Sequence, residues 1–375
     1  MTLSHLDIQG YRSLRNVRLP LGQLNVITGP NGSGKSNLYR ALWLIAQIAD
    51  GDFARSICRE GGLLSAMWAG PRTNAKKPVR MVLGFCNADF NFQMSCGYPI
   101  PSPTMFCYDP QIKEELVWIG PHRKPTATLL ERRGGMTWIR DLDGDRVEYP
   151  LVLDENESVL AQLREPHRYP ELFSIREAVR GWRFYHAFRT DDESPMRTPR
   201  VSVRTPVLSH DGSDLAAALQ TIMESGGGRA LQDIIAAALP GRSLEILSNE
   251  PEPWTKSPHY MELSVGLATE GCARTLVARE LSDGTLKFLC LAACLLSPRP
   301  PALIALNEPE ASLHPDLLPP LARLIVQASE VSQLWVCTHS SRLAESIQSL
   351  CGVQPIRLEL LNGETVIRSE TDGRV

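Results

Sequence analysis

The chain has 375 residues, 43% of them hydrophobic, and its 39 basic side chains nearly balance 42 acidic ones. That length can bury the core of more than one domain. The formal net charge of -3 excludes a strong overall attraction to nucleic acid or to an anionic membrane surface, but it does not exclude a local patch. The nine cysteines form no C-x-x-C pair, so we expect reduced thiols. Since neither a run of 18 apolar residues nor a signal-peptide pattern stands out, we expect a cytoplasmic protein without membrane attachment.

The N-terminal segment predicts three short strands, at residues 3–8, 17–19 and 24–27, then a glycine-rich loop and a helix over 37–48. The loop matches the pattern G-x-x-x-x-G-K-[ST] at every fixed position and lies between a strand and a helix, as a phosphate-binding loop requires. A glycine-rich turn without a ligand is the alternative, and the flanking elements disfavour it. The loop residues are Gly29, Pro30, Asn31, Gly32, Ser33, Gly34, Lys35 and Ser36.

Each part of this loop is suited to holding a triphosphate. Its glycines allow successive backbone N–H groups to converge on phosphate oxygens, and the N-terminus of the following helix faces the same anion. We expect Lys35 to reach the β- and γ-phosphates and Ser36 to bind Mg²⁺ through its hydroxyl. The sequence therefore predicts a site for a nucleoside triphosphate and a magnesium ion, and we also assign Arg12 and Asn37 to nucleotide binding.

The middle of the chain predicts an antiparallel β lobe over residues 51–150 and a mostly helical insertion over 151–259. The insertion contains an arginine-rich loop, residues 188–206, which is either a solvated surface segment or a basic patch for phosphate backbones. The basic patch requires four arginines to converge in space, namely Arg189, Arg197, Arg200 and Arg204.

Two buried parallel strands are predicted near the C-terminal end, and polar residues follow both. Residues 302–306 lead into Asn307 and Glu308, and residues 334–337 lead to His339. Ligands of open α/β sheets bind at the carboxyl ends of such strands. Glu308 is therefore a candidate base or orienter for an attacking water, and His339 is a candidate γ-phosphate sensor, although a single histidine after a strand is more often structural.

A further motif, Leu281-Ser282-Asp283-Gly284-Thr285, precedes an apolar helix over 286–296. Ser282 is a predicted N-cap and Gly284 keeps the backbone open, so this helix N-terminus is a second candidate anion site. A plain helix start is the alternative. One phosphate cannot easily use two separate helix N-termini of one subunit, whereas two subunits can supply one each.

In their order along the chain, these motifs resemble the ABC-type ATPase superfamily, in particular its RecF/SMC-like branch and the stand-alone bacterial ATPases grouped with it and with the OLD family. The resemblance is carried by the N-terminal stretch 8–13, the Walker A loop 29–36, the signature-like motif 281–285, the Walker B end 307–310, the D-loop 312–315 and the switch histidine His339.

The resemblance implies an α/β fold, a P-loop NTPase of ABC-ATPase type with a mixed central sheet, an antiparallel β lobe and an inserted helical lobe. The whole chain would be a single ATPase head, with residues 1–50 and 260–375 as its nucleotide-binding core. Two copies would sandwich two ATP molecules, each bound by Walker A of one subunit and by Ser282 and Gly284 of the other. The expected partner is thus a second copy of the chain.

The resemblance also assigns roles in catalysis. Glu308, His339 and Lys35 would form the catalytic set, and Ser36, Asn307 and Glu308 would hold Mg²⁺. Asn307 departs from the family pattern, because the residue before the catalytic glutamate is usually acidic. That change could weaken metal binding or slow turnover, and we hypothesise that Glu310 compensates for the missing charge. The signature also carries Asp283 where glycine is common.

Two functions remain open. One is an ATP-hydrolysing homodimer that acts on DNA in repair, genome maintenance or defence against phage. The other is a slow ATP switch that regulates a separately encoded effector such as a nuclease, since few residues follow His339 and we expect no nuclease domain there. A transporter ATPase subunit ranks lower because Ser36 and Leu281 are too far apart in the chain, and a small-molecule kinase ranks lower because it needs no signature motif.

Overall fold

The structure, a computed structural model, describes residues 1–71, 79–101, 103–248 and 261–368. The chain divides into two compact units, the first made of residues 1–182 and the C-terminal stretch from 356, the second of residues 183–355. Within the described ranges, no helix combines the length and the apolar character needed to cross a membrane. The domain boundary expected near residue 260 lies outside the described residues.

The first unit contains an eight-stranded antiparallel sheet in the order β2-β1-β4-β5-β6-β7-β8-β9. Leu6 and Ile8 of β1 are fully buried while Asp7 and Gln9 between and after them are more exposed, as expected of a strand with one face on the core. The strands are β1 (Leu3–Tyr11), β2 (Leu14–Pro20), β4 (Met81–Asn87), β5 (Asn91–Gly97), β6 (Gln111–Trp118), β7 (Thr128–Arg133), β8 (Met136–Arg140) and β9 (Arg146–Glu148).

This sheet differs in extent from the β lobe expected over residues 51–150. The N-terminal hairpin β1–β2 forms one side of the same sheet, because β1 pairs antiparallel with β4. The lobe's range also begins with two short helices, α2 (Phe53–Arg59) and α3 (Leu63–Ala66). The N-terminal hairpin and the strands of the β lobe therefore belong to one sheet.

The nucleotide loop of the first unit lies between β3 (Leu24–Thr28) and α1 (Lys35–Asp50). Strand β3 pairs in parallel with β17 (Ile356–Leu361), which forms an antiparallel hairpin with β18 (Glu364–Arg368). Helix α1 is buried along most of its length and ends at Gly51, whose φ of 80° allows its N–H to donate to the carbonyl of Ile48 over 3.3 Å. This unit also contains the helices α4 (Val159–Gln162) and α5 (Pro170–Arg180).

The second unit contains three parallel strands in the order β10-β15-β16 and a separate antiparallel sheet in which β13 pairs with β11, β12 and β14. All residues of β15 and β16 are buried, which is typical of parallel strands covered on both faces. The strands are β10 (Arg183–Tyr185), β11 (Arg200–Val201), β12 (Arg242–Ser248), β13 (Glu262–Thr269), β14 (Leu276–Val277), β15 (Leu303–Asn307) and β16 (Gln333–Cys337).

Five helices accompany these strands: α6 (Leu215–Ile222), α7 (Gly228–Ala238), α8 (Asp283–Leu295), α9 (Leu318–Ala328) and α10 (Ser341–Cys351). Strand β10 falls within residues 151–259, which were expected to form a mostly helical insertion. Its apolar residues Phe184 and Tyr185 are buried and it pairs in parallel with β15, so this part of the range belongs to the central strands.

Candidate functional site

The Walker A loop has the backbone that a phosphate-binding loop requires. Gly34, with a φ of 103°, caps α1 without a side-chain hydrogen bond, and the first turn of the helix carries no acidic residue. The helix N-terminus thus keeps its partial positive charge for an anion. At Gly29, a Cβ would lie 2.4 Å from the carbonyl oxygen of Leu358, so only glycine fits between β3 and β17.

Lys35 is 4% exposed, and its ammonium group donates to the carbonyls of Gly29 and Pro30 over 2.5 and 3.0 Å. These contacts hold the Lys35 side chain across the loop, with its ammonium group beside the backbone that would surround a phosphate. The next residue, Ser36, is exposed, so its hydroxyl is open to a ligand. The structure therefore brings together the predicted loop lysine and loop hydroxyl on one helix N-terminus.

Arg12 and Asn37 are both held by protein contacts. Arg12 has a left-handed backbone with a φ of 48°, and its guanidinium pairs with the Glu60 carboxylate at 2.7 Å. The Asn37 amide donates to Ser13 Oγ over 2.8 Å. Sequence reasoning assigned no contact to Glu60 or Ser13, because nothing local indicates these hydrogen bonds. Nucleotide binding by Arg12 and Asn37 stays a prediction.

In the second unit, the parallel pairing of β15 and β16 brings Glu308 and His339 together. Asn307 is in register with Cys337, and the N–H of Glu308 donates to the carbonyl of Cys337 over 2.8 Å. His339 Nε2 lies 3.2 Å from Glu308 Oε1, with side chains 35% and 41% exposed. An acid and an imidazole that are in contact and open to water can orient a water and exchange a proton with it.

Glu308 also has an unusual backbone. Its φ is 49°, and Ser312 in the D-loop has a φ of 63°, although neither is glycine. Residues held in this left-handed region are strained by about 1 kcal/mol or more and often occur at functional sites. The Walker B turn thus holds Glu308 in one defined position at the end of β15.

Asn307 is 5% exposed and lies against His186, with Nδ2 3.0 Å from His186 Nδ1. Its Oδ1 is buried and has no hydrogen-bond partner in the part of the chain that the structure describes. A buried oxygen without a donor is costly and calls for a ligand or water. Asn307 therefore presents an oxygen donor even though it lacks the usual charge.

Glu310 lies against the loop that follows β16. Its Oε1 accepts from the backbone N–H groups of His339 and Ser340 over 2.7 and 3.1 Å. Through Oε1 this carboxylate braces the loop that carries His339, while its Oε2 is buried and has no hydrogen-bond partner among the described residues. Compensation by Glu310 for the charge that Asn307 lacks stays a hypothesis. The brace depends on the pairing of β15 and β16, which no local pattern reveals.

The signature motif caps α8 as predicted from its sequence. Ser282 is exposed, and its hydroxyl accepts from the N–H of Thr285 over 3.3 Å. A Cβ at Gly284 would lie 2.8 Å from the carbonyl oxygen of Ser312, so a side chain there would collide with the D-loop. The glycine thus permits the close approach of the signature helix to the D-loop.

Two basic side chains hold the signature region, a role that sequence reasoning did not assign to either of them. Lys287 of α8 donates to the carbonyls of Glu308 and Ala311 over 3.2 and 2.7 Å, which ties this helix to the Walker B turn. Burial lowers the pKa of Lys287, while the nearby carboxylates of Glu310 and Glu308 oppose that shift. Lys287 lies one turn after the start of α8 and belongs to no recognisable sequence motif, so nothing in the sequence indicated its role.

Arg197, named above only as a member of the arginine-rich loop, is the second of these side chains. Its side chain is 5% exposed and donates to the Ala278 and Leu281 carbonyls over 3.2 and 2.8 Å and to Asp283 Oδ1 over 2.5 Å. The guanidinium therefore holds the segment that leads into the signature motif. It also offsets the charge of Asp283, the residue that departs from the family pattern.

These contacts bear on the arginine-rich loop 188–206. Arg189 pairs with Asp191 at 2.9 Å and Arg204 pairs with Glu224 at 3.3 Å, so together with Arg197 three of the four arginines are bound to acidic side chains. Their charge is offset within the protein. The basic-patch interpretation is therefore not supported, and Arg197 has an internal role instead.

Family models match two parts of the chain. The model described as "AAA domain, putative AbiEii toxin, Type IV TA system" matches residues 139–345, more than half of the chain. A second model, described as "AAA ATPase domain", matches residues 1–79. Among curated proteins, the OLD nuclease of Thermus scotoductus is 44% identical over 43 residues, which make up 12% of this chain and 8% of that protein. This match thus spans less than a tenth of the relative's length.

The chain is also similar to solved structures, and two examples match over nearly its whole length. One is an SMC head bound to the C-terminal winged-helix domain of ScpA, with a TM-score of 0.54 and 16% identity, covering 100% of both chains. The other is an SMC head with an extended coiled coil, bound to the C-terminal domain of ScpA derived from Pyrococcus furiosus, with a TM-score of 0.51 and 15% identity, covering 99% of this chain and 97% of that one. At identities this low, the similarity shows a shared fold and nothing about function. It confirms the predicted fold class.

Proposed function

The chain belongs to the AAA-domain family, and its motifs resemble the RecF/SMC-like branch of ABC-type ATPases. We propose that it binds ATP with Mg²⁺, hydrolyses it, and closes into an ATP-sandwich homodimer. The observation that carries this proposal is the contact of Glu308 with His339 at 3.2 Å, at the ends of two buried parallel strands. An acid and a histidine placed together serve to position an attacking water.

The Walker A loop is the proposed phosphate site. Backbone N–H groups of residues 29–36 would surround the phosphates, and Lys35 would exchange its two carbonyl contacts for β- and γ-phosphate oxygens. The exchange is favourable because a charged acceptor replaces neutral ones. In this proposal Glu308 orients the water and His339 responds to the γ-phosphate.

The residues present fit a magnesium ion. Mg²⁺ prefers oxygen donors, and Asn307 Oδ1 is a buried oxygen without a partner in the described residues. The exposed hydroxyl of Ser36 and the carboxylate of Glu308 are the other donors that we assign to it. When bound, the ion would neutralise the part of the negative phosphate charge that the basic side chains of the protein do not neutralise.

The homodimer proposal is supported by the signature motif. Ser282 is exposed at the N-terminus of α8, and Gly284 leaves the backbone there uncovered by a side chain. Both are suited to contact a γ-phosphate held by a second copy of the chain. The SMC heads of both similar structures are bound to a ScpA domain, which supports a protein partner for this chain as well.

Two outputs of the ATP cycle are candidates, a transaction on DNA or the control of a separate effector such as a nuclease. One observation favours the second. The net charge is -3, and three of the four arginines of the loop 188–206 are paired with acidic side chains, so that loop offers little free positive charge to a phosphate backbone.

The ATPase rate with and without duplex and single-stranded DNA distinguishes the two outputs. Stimulation of about threefold or more at 50 mM salt, falling as salt increases, supports the DNA function. A DNA-indifferent rate, with a stable dimer in light scattering with ATP, supports the effector switch. Lys35→Ala is the control, because it should show neither the activity nor the ATP-dependent dimer.

Asn307→Asp tests the metal assignment. The new carboxylate replaces a neutral oxygen with a charged one, so the Mg²⁺ concentration for half-maximal ATPase activity should fall about threefold to tenfold. Asn362→Asp, which adds the same charge in the exposed turn between β17 and β18, should leave that concentration unchanged. An unaltered Mg²⁺ dependence in Asn307→Asp would remove Asn307 from the metal site.

A further inference from the structure

Thr365 in β18 is 1% exposed, although its side chain is polar. Its Oγ1 donates to the carbonyl of Ser33 in the Walker A loop over 2.9 Å and lies 2.7 Å from Ser13 Oγ. The Thr365 N–H also donates to the Ser13 carbonyl over 2.8 Å, and Asn37 Nδ2 donates to Ser13 Oγ over 2.8 Å. One threonine thus connects the C-terminal hairpin, the N-terminal turn and the nucleotide loop.

The direction of these hydrogen bonds follows from proton counting. A carbonyl only accepts and a hydroxyl has one proton, so Thr365 donates to Ser33 and must accept from Ser13. Ser13 then has no proton left and accepts from the Asn37 amide, which only donates through Nδ2. The hydrogen-bond chain runs from Asn37 to Ser13 to Thr365 to Ser33, and each of its two hydroxyl protons is used in it.

The hairpin also lies directly against two glycines of the loop. A Cβ at Gly34 would come within 2.1 Å of Thr365 Oγ1, and a Cβ at Gly29 would come within 2.4 Å of the Leu358 carbonyl in β17. Both glycines have positive φ, at 103° and 153°. The shape of the nucleotide loop is therefore set by the hairpin as well as by β3 and α1.

We propose that Thr365 is a positioning residue for the nucleotide: it fixes the Ser33 carbonyl so that the Walker A loop already has its phosphate-binding shape before ATP arrives. The role rests on the proposed ATP binding. A loop that is ordered in advance loses less conformational entropy when a ligand binds, so the effect should be on affinity.

Thr365→Val keeps the shape of the side chain and removes the hydroxyl. We expect the Kd for ATP, measured by calorimetry, to increase about fivefold to tenfold, since one buried carbonyl loses its donor. The KM for ATP should increase in parallel while kcat at saturating ATP changes less than about twofold. Thr365→Ser restores the hydroxyl and should return the Kd to within about twofold of the wild-type value.

Glu364→Gln is the matched control in the same hairpin. It breaks the partly exposed ion pair of Glu364 with Arg15, 3.2 Å apart, without touching the loop, so the Kd should not change. Ser13→Ala removes the donor to Thr365 and provides a second test if the valine variant does not fold. It should raise the Kd about threefold, and in combination with Thr365→Val the two effects should be less than additive.

Several results would overturn this role. A wild-type chain that binds no ATP in calorimetry contradicts the proposed function itself. A wild type that binds, with a Kd unchanged in Thr365→Val or Ser13→Ala, contradicts the role of Thr365 alone. A lower melting temperature with unchanged affinity, or a serine variant as weak as the valine variant, would also show that the hydroxyl does not position the loop.

Discussion

Glu308→Gln should lower kcat for ATP hydrolysis about 10²-fold or more while ATP remains bound. The Glu308 side chain is 41% exposed and contacts His339 Nε2 at 3.2 Å, so a water can reach it and an imidazole is at hand. Glutamine has the same shape but cannot take a proton. Glutamine should be strained to the same extent as glutamate at the positive φ of 49°. The substitution therefore tests the proton-accepting role of the carboxylate without changing the backbone strain.

The same variant should accumulate as a dimer when ATP is added, because in the proposed mechanism closure needs ATP and reopening needs hydrolysis. Phosphate release gives the rate, and light scattering with and without ATP gives the mass. Glu345→Gln removes an exposed carboxylate of α10 in the same unit and should behave like the wild type. A Glu308→Gln variant that hydrolyses ATP within about twofold of the wild-type rate, or that forms no ATP-dependent dimer, would contradict the sandwich mechanism.

The sequence predicted the motifs whose structure is set by neighbouring residues. The Walker A loop lies between β3 and α1 as expected, because a buried strand, a glycine-rich turn and an amphipathic helix are all local patterns. The strands before Asn307 and Thr338 were predicted for the same reason, since continuous apolar runs bounded by polar residues indicate buried parallel strands. The fold class follows from these elements in their order.

The contacts that brace those motifs were not predictable, because they join residues far apart in the chain. Thr365 and Ser33 are separated by 332 positions, and Arg197 and Asp283 by 86. An arginine in a polar loop has the same local pattern whether it is solvated or buried. The interpretation of loop 188–206 therefore could not be decided without the structure, which places Arg197 inside and pairs it with Asp283.

Arg197→Met should destabilise the protein by about 2 to 4 kcal/mol and prevent ATP-dependent dimerisation. The guanidinium is 5% exposed and satisfies the buried carbonyls of Ala278 and Leu281 as well as the carboxylate of Asp283. Methionine fills similar space but donates no hydrogen bond, so the buried Leu281 carbonyl would lose the donor that holds it, and the Ala278 carbonyl would keep only the N–H of Leu281. Since they lie just before and within the signature motif, Ser282 should lose its defined position.

Urea unfolding measures the stability loss, and light scattering with ATP measures dimer formation. Arg197→Lys keeps the charge but cannot reach several acceptors at once, so it should fall between the wild type and the methionine variant. Arg200→Met, at an exposed position on β11 in the same segment, should leave both readouts unchanged.

If Arg197→Met unfolds at the wild-type urea concentration and still dimerises with ATP, the guanidinium does not hold the signature region. If it is destabilised but dimerises normally in the folded fraction, the contact stabilises the unit without ordering Ser282.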